Sequence, residues 1–293
     1  MGRLTFYIVD VFAEEKYAGN QLAVFPDALS VPSDQMQRIA CEMHFSETTF
    51  IQSGNEDEGY AIRIFTPREE LPFAGHPILG TAYIILRELT PRSGKSVVLN
   101  CPAGPIPVNL TARGDQSVLW MHLRRPAFGE ILVPELVAEV IGIAPDDMDG
   151  AFPVQEVSTG LPVIIVPLRS LDAVRRVRID PNRYADLIRN RSAKCILVFS
   201  RETYHPDHDL NVRFFADYYG VPEDPATGSA NGCLAAYLSR YRYFGSPEVH
   251  VTVEQGIEIR RPSLLYLEAI EKDGAVEVQV GGCVQLVARG EFI

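Results

Sequence analysis

The chain lacks the marks of several large functional classes. Cysteine is sparse and scattered, at Cys41, Cys101, Cys195, Cys233 and Cys283, an odd number with no C-x-x-C pair. That excludes a disulfide framework, and each cysteine reads as a small buried hydrophobe. No G-x-G-x-x-G follows a strand-like run and no G-x-x-x-x-G-K-[ST] occurs, which removes dinucleotide and P-loop readings. G-x-S-x-G is absent, and with it the simplest hydrolase elbow. Positive charge is short: 27 Lys and Arg against 38 Asp and Glu leave a net charge of -11. A nucleic-acid partner needs a basic face, so none is expected, and the doublets Arg124-Arg125 and Arg175-Arg176 read as solvated. Long apolar runs are missing too, so no helix should span a membrane. The N-terminus enters a strand-like run, Leu4-Thr5-Phe6-Tyr7-Ile8-Val9, without a signal-peptide core, and the expected location is cytoplasmic.

What remains is an ordinary globular composition, 46% hydrophobic and 22% charged, over 293 residues. That length favours two domains over one core. Two glycine turns divide it. One is Phe73-Ala74-Gly75-His76-Pro77, the other Asp224-Pro225-Ala226-Thr227-Gly228-Ser229-Ala230. Each follows a strand-like Arg-x-Phe, Arg63-Ile64-Phe65 and Arg213-Phe214-Phe215, and each opens a helical pattern of small residues. The repeat at about half the chain length implies two similar domains. Helix N-termini with free N–H groups suit an anion, here a carboxylate.

Periodicity and β-branched content predict strands 4–12, 21–25, 47–52, 60–65, 96–100, 105–111 and 117–123, with helices 33–43 and 76–88. Beyond Arg124-Arg125-Pro126 the order repeats loosely. Helices are expected at 134–141, 170–175, 181–189 and 228–240. Strands are expected at 152–157, 162–168, 195–199, 209–215, 249–254, 264–270 and 275–280, with a last one at 283–292 that could return to the first domain. Ser33 reads as the N-cap of the first helix, with Gln37 near the capping-box position. Pro77 suits a first helical turn. Helix 228–240 is small or apolar on every face and should be buried. Asn55-Glu56-Asp57-Glu58-Gly59 reads as a hairpin turn.

Four side chains are chemical candidates. Glu47 begins an apolar strand, where burial would raise its pKa towards a range useful for taking and returning a proton; the alternative is a strand-edge carboxylate facing water. His76, at a helix start, should be neutral, as a site residue or as a cap. Asp224 ends a loop before the second turn, and Ser229 lies in the helix that follows. Both also have plain structural roles at a helix start. His205-Pro206-Asp207-His208-Asp209 reads as a surface turn more than as a metal site.

These residues resemble the PhzF family of phenazine-biosynthesis isomerase-like proteins. The resemblance rests on Val9-Asp10-Val11-Phe12, Gly19-Asn20, Ser46-Glu47-Thr48 and the first glycine turn. It continues through Ser158-Thr159-Gly160-Leu161-Pro162, Glu223 to Ala230, Glu254-Gln255-Gly256 and Arg261-Pro262-Ser263. It covers nearly the whole chain; Gln21, where the family often has proline, departs from it. The resemblance implies the diaminopimelate epimerase-like fold: α+β, with two topologically similar domains, each a mostly antiparallel sheet wrapped round a central helix. The expected domains are 1–123 with the strand 283–293, and 124–282, with the active site in the cleft between them. It also implies Glu47 as the acid/base, His76 and Asp224 as its helpers, and Gly75, Gly228 and Ser229 as substrate-binding groups. No metal or cofactor is expected; the expected partners are a small carboxylate-bearing substrate and a second copy in a homodimer. Epimerase relatives carry a cysteine in each glycine turn, where this chain has Ala74 and Thr227, so two-base stereoinversion lacks its bases. The alternatives are a non-catalytic binding protein that keeps the cleft, and a lyase that uses the same proton abstraction.

Overall fold

Alternating β-branched and aromatic residues give strands, and small-residue runs give the two buried helices. The computed structural model describes residues 3–90, 94–272 and 275–293. It divides into two units, Met1–His122 with Gly281–Ile293, and Leu123–Val280.

The first unit runs β1 (Leu4–Val11), β2 (Asn20–Phe25), α1 (Ser33–Met43), β3 (Glu47–Asn55) and β4 (Gly59–Phe65). It continues through β5 (Glu70–Leu71), α2 (Gly75–Ile84), β6 (Ser96–Cys101), β7 (Gly104–Arg113) and β8 (Gln116–His122). Most pairings are antiparallel, as in β1–β2, β3–β4, β6–β7 and β7–β8. Two are parallel, β2–β3 and β4–β6, and each crossover carries a helix, α1 and α2 respectively, as parallel connections demand. In the β3–β4 hairpin Asn55 Oδ1 accepts the backbone N–H groups of Asp57 and Glu58 at 3.0 and 2.9 Å, an Asx turn. A core of Phe25, Met36, Ile39, Phe50 and Phe65 packs α1 on the sheet. Phe25 stacks on Phe50 at 4.9 Å between centroids.

The second unit opens with β9 (Ala127–Ile131), α3 (Pro134–Ile141), β10 (Gln155–Ser158), β11 (Pro162–Pro167), α4 (Leu171–Arg176) and α5 (Pro181–Ile188). It then runs β12 (Cys195–Ser200), β13 (Leu210–Ala216), β14 (Val221–Asp224), α6 (Gly228–Arg240), β15 (Val249–Gln255), β16 (Ser263–Lys272) and β17 (Ala275–Gly282). Its plan repeats the first: β10–β11 antiparallel, β11–β12 parallel, β12–β13 antiparallel and β13–β15 parallel, with α6 in the last crossover. The closing strand, β18 (Val284–Phe292), pairs antiparallel with β1 in the first unit.

Both central helices lie close against strands. A Cβ on Gly80 of α2 would come 2.5 Å from Leu22 and 2.9 Å from Val11. One on Gly232 of α6 would come 1.9 Å from Leu123, in the segment before β9, and 3.5 Å from Val280 of β17. Glycine is therefore what lets each helix approach its sheet. In α6 every residue from Gly228 to Ser239 is buried.

The Arg-x-Phe repeat is a clasp. Arg63 donates to both carboxylate oxygens of Glu70 at 2.7 and 2.6 Å, with its guanidinium 5.0 Å from the Phe65 ring centroid. Arg213 does the same with Glu223, at 2.8 Å twice, 4.9 Å from the Phe215 ring centroid. In both units a bidentate pair ties the strand before the glycine turn to the short strand that leads into it.

Several sequence expectations are corrected. The N-cap of α1 is Pro32, without a side-chain cap; Ser33 Oγ instead accepts from Arg63, and Gln37 donates to the Thr66 carbonyl. The helix expected over 76–88 is α-helical only to Ile84 and widens into a π turn over Ile85–Leu89. Asp224 ends a strand, β14, and α6 has no acidic residue in its first turn. Cys41 is exposed, unlike the other four cysteines. Strands β5, β9 and β14 had no sequence signal.

Candidate functional site

In the first unit, β3 starts at Glu47, beside Leu22 of β2 in parallel register. Extended Ala74 is the N-cap of α2, and Gly75, His76 and Pro77 form its first turn with no side-chain cap. This brings His76 Nε2 to 3.3 Å from Glu47 Oε2, with the two side chains 5% and 15% exposed. On the other edge of the ring, Nδ1 lies 3.2 Å from the Asn20 amide. Burial pushes the imidazole pKa down to about 3, partly opposed by a hydrogen bond with the Gln21 backbone. The ring is thus neutral at neutral pH, and its contact with Glu47 is not an ion pair there. Below, Thr81 of α2 donates to Thr49 of β3 at 2.8 Å, fixing helix to strand beside the pair.

In the second unit, Asp224, Gly228 and Ser229 come together at the start of α6, all buried. Thr227 is the helix N-cap, but its hydroxyl donates to Asp224 Oδ2 instead of capping. Gln255, fully buried at the end of β15, sits under the turn. Its Nε2 donates to the Asp224 carbonyl at 2.9 Å and to Thr227 Oγ1 at 3.2 Å. Its Oε1 accepts from the Thr227 N–H at 3.3 Å and from Asn231 Nδ2 at 2.8 Å. Gly256, at φ +77°, lets the chain pass: a Cβ there would lie 2.5 Å from the Pro225 carbonyl oxygen. Thr159 donates to the Ser229 carbonyl at 3.3 Å. Cys195 and Cys233 lie deep in this unit, and burial raises their thiols to about 12 and about 11, so neither supplies a thiolate at neutral pH.

Asn20, Thr159, Thr227 and Gln255 therefore support the two turns, although sequence reasoning gave none of them a role. A buried amide on a strand has no local pattern; only the fold shows what it reaches. The segment 205–209 is pinned by a carboxylate. Glu254 accepts from the backbone N–H groups of Tyr204 and His205 at 2.8 Å each and faces His208 Nδ1 at 2.8 Å. No cluster of metal-ligating side chains occurs among the described residues, and no helix among them is long and apolar enough to cross a membrane.

Residues 9–290 match the model of a family described as phenazine biosynthesis-like protein. A trans-2,3-dihydro-3-hydroxyanthranilate isomerase of Pseudomonas fluorescens is 36% identical over 300 residues, covering 98% of this chain and 99% of the relative. An uncharacterized isomerase of Bacillus subtilis is 30% identical over 276 residues, covering 93% of each chain. Among solved structures, a PhzF-family phenazine biosynthesis protein of Bacillus anthracis superposes with a TM-score of 0.92 at 26% identity over all of both chains. A hydroxyproline epimerase of Agrobacterium vitis shares the fold, with a TM-score of 0.61 at 12% identity over 99% of this chain and 92% of that one.

Proposed function

The chain belongs to the phenazine biosynthesis-like, or PhzF, family of isomerases, and on that premise we propose that it moves a proton within a small carboxylate-bearing substrate. The observation that carries this is the contact between Glu47 and a neutral, buried His76. A carboxylate beside a cation would be a weakened base; beside a neutral imidazole it keeps its basicity. Glu47 takes a proton from a carbon next to an unsaturated system. The electron pair of the broken C–H bond enters that system, the double bonds shift, and Glu47 returns the proton to another carbon on the same face. Nothing is oxidised or reduced. His76 presents Nε2 towards the shuttling carboxyl group and needs no charge to do so.

Asp224, with His76, is assigned to the polar substituents of the substrate, and Ser229, with the N–H groups of Gly75 and Gly228, to its carboxylate. Support comes from the second-unit turn, whose N-cap side chain is turned away from the helix end. The buried, high-pKa thiols favour one-base chemistry over stereoinversion by a thiol pair. An amino- or hydroxy-substituted cyclic acid is the substrate class, and trans-2,3-dihydro-3-hydroxyanthranilate, named for the Pseudomonas relatives, is the first to offer. Proton exchange from D₂O into such a substrate, followed by NMR, tests the assignment; no exchange with any acid of this class would favour a non-catalytic binding protein. The working assembly is a homodimer in the cytoplasm.

A further inference from the structure

We propose that Gln255 is a positioning residue that turns the Thr227 hydroxyl into an obligate donor and so fixes Asp224 Oδ2 as a hydrogen-bond acceptor, which favours the carboxylate form of Asp224. The orientation of the Gln255 amide is fixed by two groups with only one possible role. The Asp224 carbonyl can only accept, and it lies 2.9 Å from Nε2. The Thr227 backbone N–H can only donate, and it lies 3.3 Å from Oε1. Asn231 agrees: its Nδ2 donates to the Thr227 carbonyl at 3.0 Å and to Gln255 Oε1 at 2.8 Å. With Nε2 so placed, its contact to Thr227 Oγ1 at 3.2 Å makes that oxygen an acceptor. The hydroxyl proton then points to Asp224 Oδ2.

Protonation of Asp224 at Oδ2 would set two protons against each other, and protonation at Oδ1 would weaken the bond that Oδ2 accepts, since a charged acceptor makes the stronger hydrogen bond. The chain of donors thus runs one way, from Gln255 through Thr227 to Asp224. The neighbouring titratable groups do not compete. The Cys195 thiol of β12 and the Cys233 thiol of α6 are held neutral by burial, Glu223 is engaged by Arg213, and Glu254 of β15 by His208 and two backbone N–H groups. If Asp224 meets the substrate, as proposed above, a carboxyl group biased towards its charged form in this way favours a donor there: an ammonium, an amine N–H or a hydroxyl over a second carboxylate.

The full chain carrying ¹³Cγ-labelled aspartate tests this without a substrate, with the Asp224 signal assigned by its loss in Asp224→Asn. Thr227→Val keeps the shape and removes the donor; it should raise the Asp224 titration midpoint by on the order of one unit, as loss of a hydrogen bond to a charged group implies. Thr227→Ser should restore the wild-type midpoint. Gln255→Leu should raise it by less, because the hydroxyl is then free to turn; Gln255→Met serves if the leucine variant does not fold. An unchanged midpoint in Thr227→Val would overturn the proposal, and an unchanged midpoint in both Gln255 variants would remove Gln255 from it. Turnover by Asp224→Asn at the wild-type rate would instead sink the substrate role of Asp224 and leave the titration result standing.

Discussion

His76 Nε2 and Glu47 Oε2 stand 3.3 Å apart, yet burial keeps the imidazole neutral at neutral pH. The pair is thus a base with a polar, uncharged neighbour. That distinguishes it from a structural salt bridge, in which the partner's charge would hold the carboxylate ionised and make it a poor base.

A histidine whose folded pKa lies below its unfolded value costs stability on acidification. The unfolded chain takes up the proton near pH 6.5, whereas the folded chain resists until about pH 3. This contribution is fully present above pH 6.5 and is lost as pH falls towards 3. The stability gap between wild type and His76→Gln should therefore narrow as pH falls from 7 to 4 in urea titrations. The His76 C2 proton should keep its neutral shift to pH 4; an imidazolium shift at pH 6 would contradict the neutral pair.

The two clasps should differ in strength. Arg213 and Glu223 are 5% and 13% exposed, Arg63 and Glu70 25% and 33%. Arg213 also donates to the carbonyls of Val174 and Val177 at 2.9 and 3.1 Å. Arg213→Met strands a largely buried carboxylate and should cost about 3 kcal/mol, as breaking a buried pair does. Arg63→Met should cost clearly less. Equal shifts in urea midpoint would show that burial does not set the difference.

Metal removal should change nothing. The proposed chemistry uses a carboxylate, an imidazole and backbone N–H groups, so chelator treatment should leave turnover and thermal midpoint unchanged. Loss of turnover that one divalent ion restores would count against this chemistry. Sedimentation at micromolar concentration should show a dimer; a single monomeric species would remove that assignment.

Much of this architecture was legible beforehand. Helix 228–240 was readable because its small, apolar residues leave no solvent face, and the Arg-x-Phe repeat marked the doubled plan. The role of that repeat was not readable, because Glu70 and Glu223 sit on strands too short to have a period. Ser33 misled because Pro32 fixes the extended conformation before the helix and Arg63 claims the hydroxyl. At the candidate site, the turns announced themselves through glycine and proline. Asn20 and Gln255 did not, since what an amide on a strand holds depends on which loop folds over it.

The central claim is that Glu47 carries the proton. Glu47→Gln keeps the size and much of the hydrogen bonding while removing the base. With an accepted cyclic amino or hydroxy acid in D₂O, NMR should show solvent deuterium entering the wild-type product. Exchange and turnover by Glu47→Gln should fall by about 10² or more, the scale of losing general acid/base catalysis, with substrate binding largely retained. Exchange by Glu47→Gln at the wild-type rate would contradict the assignment.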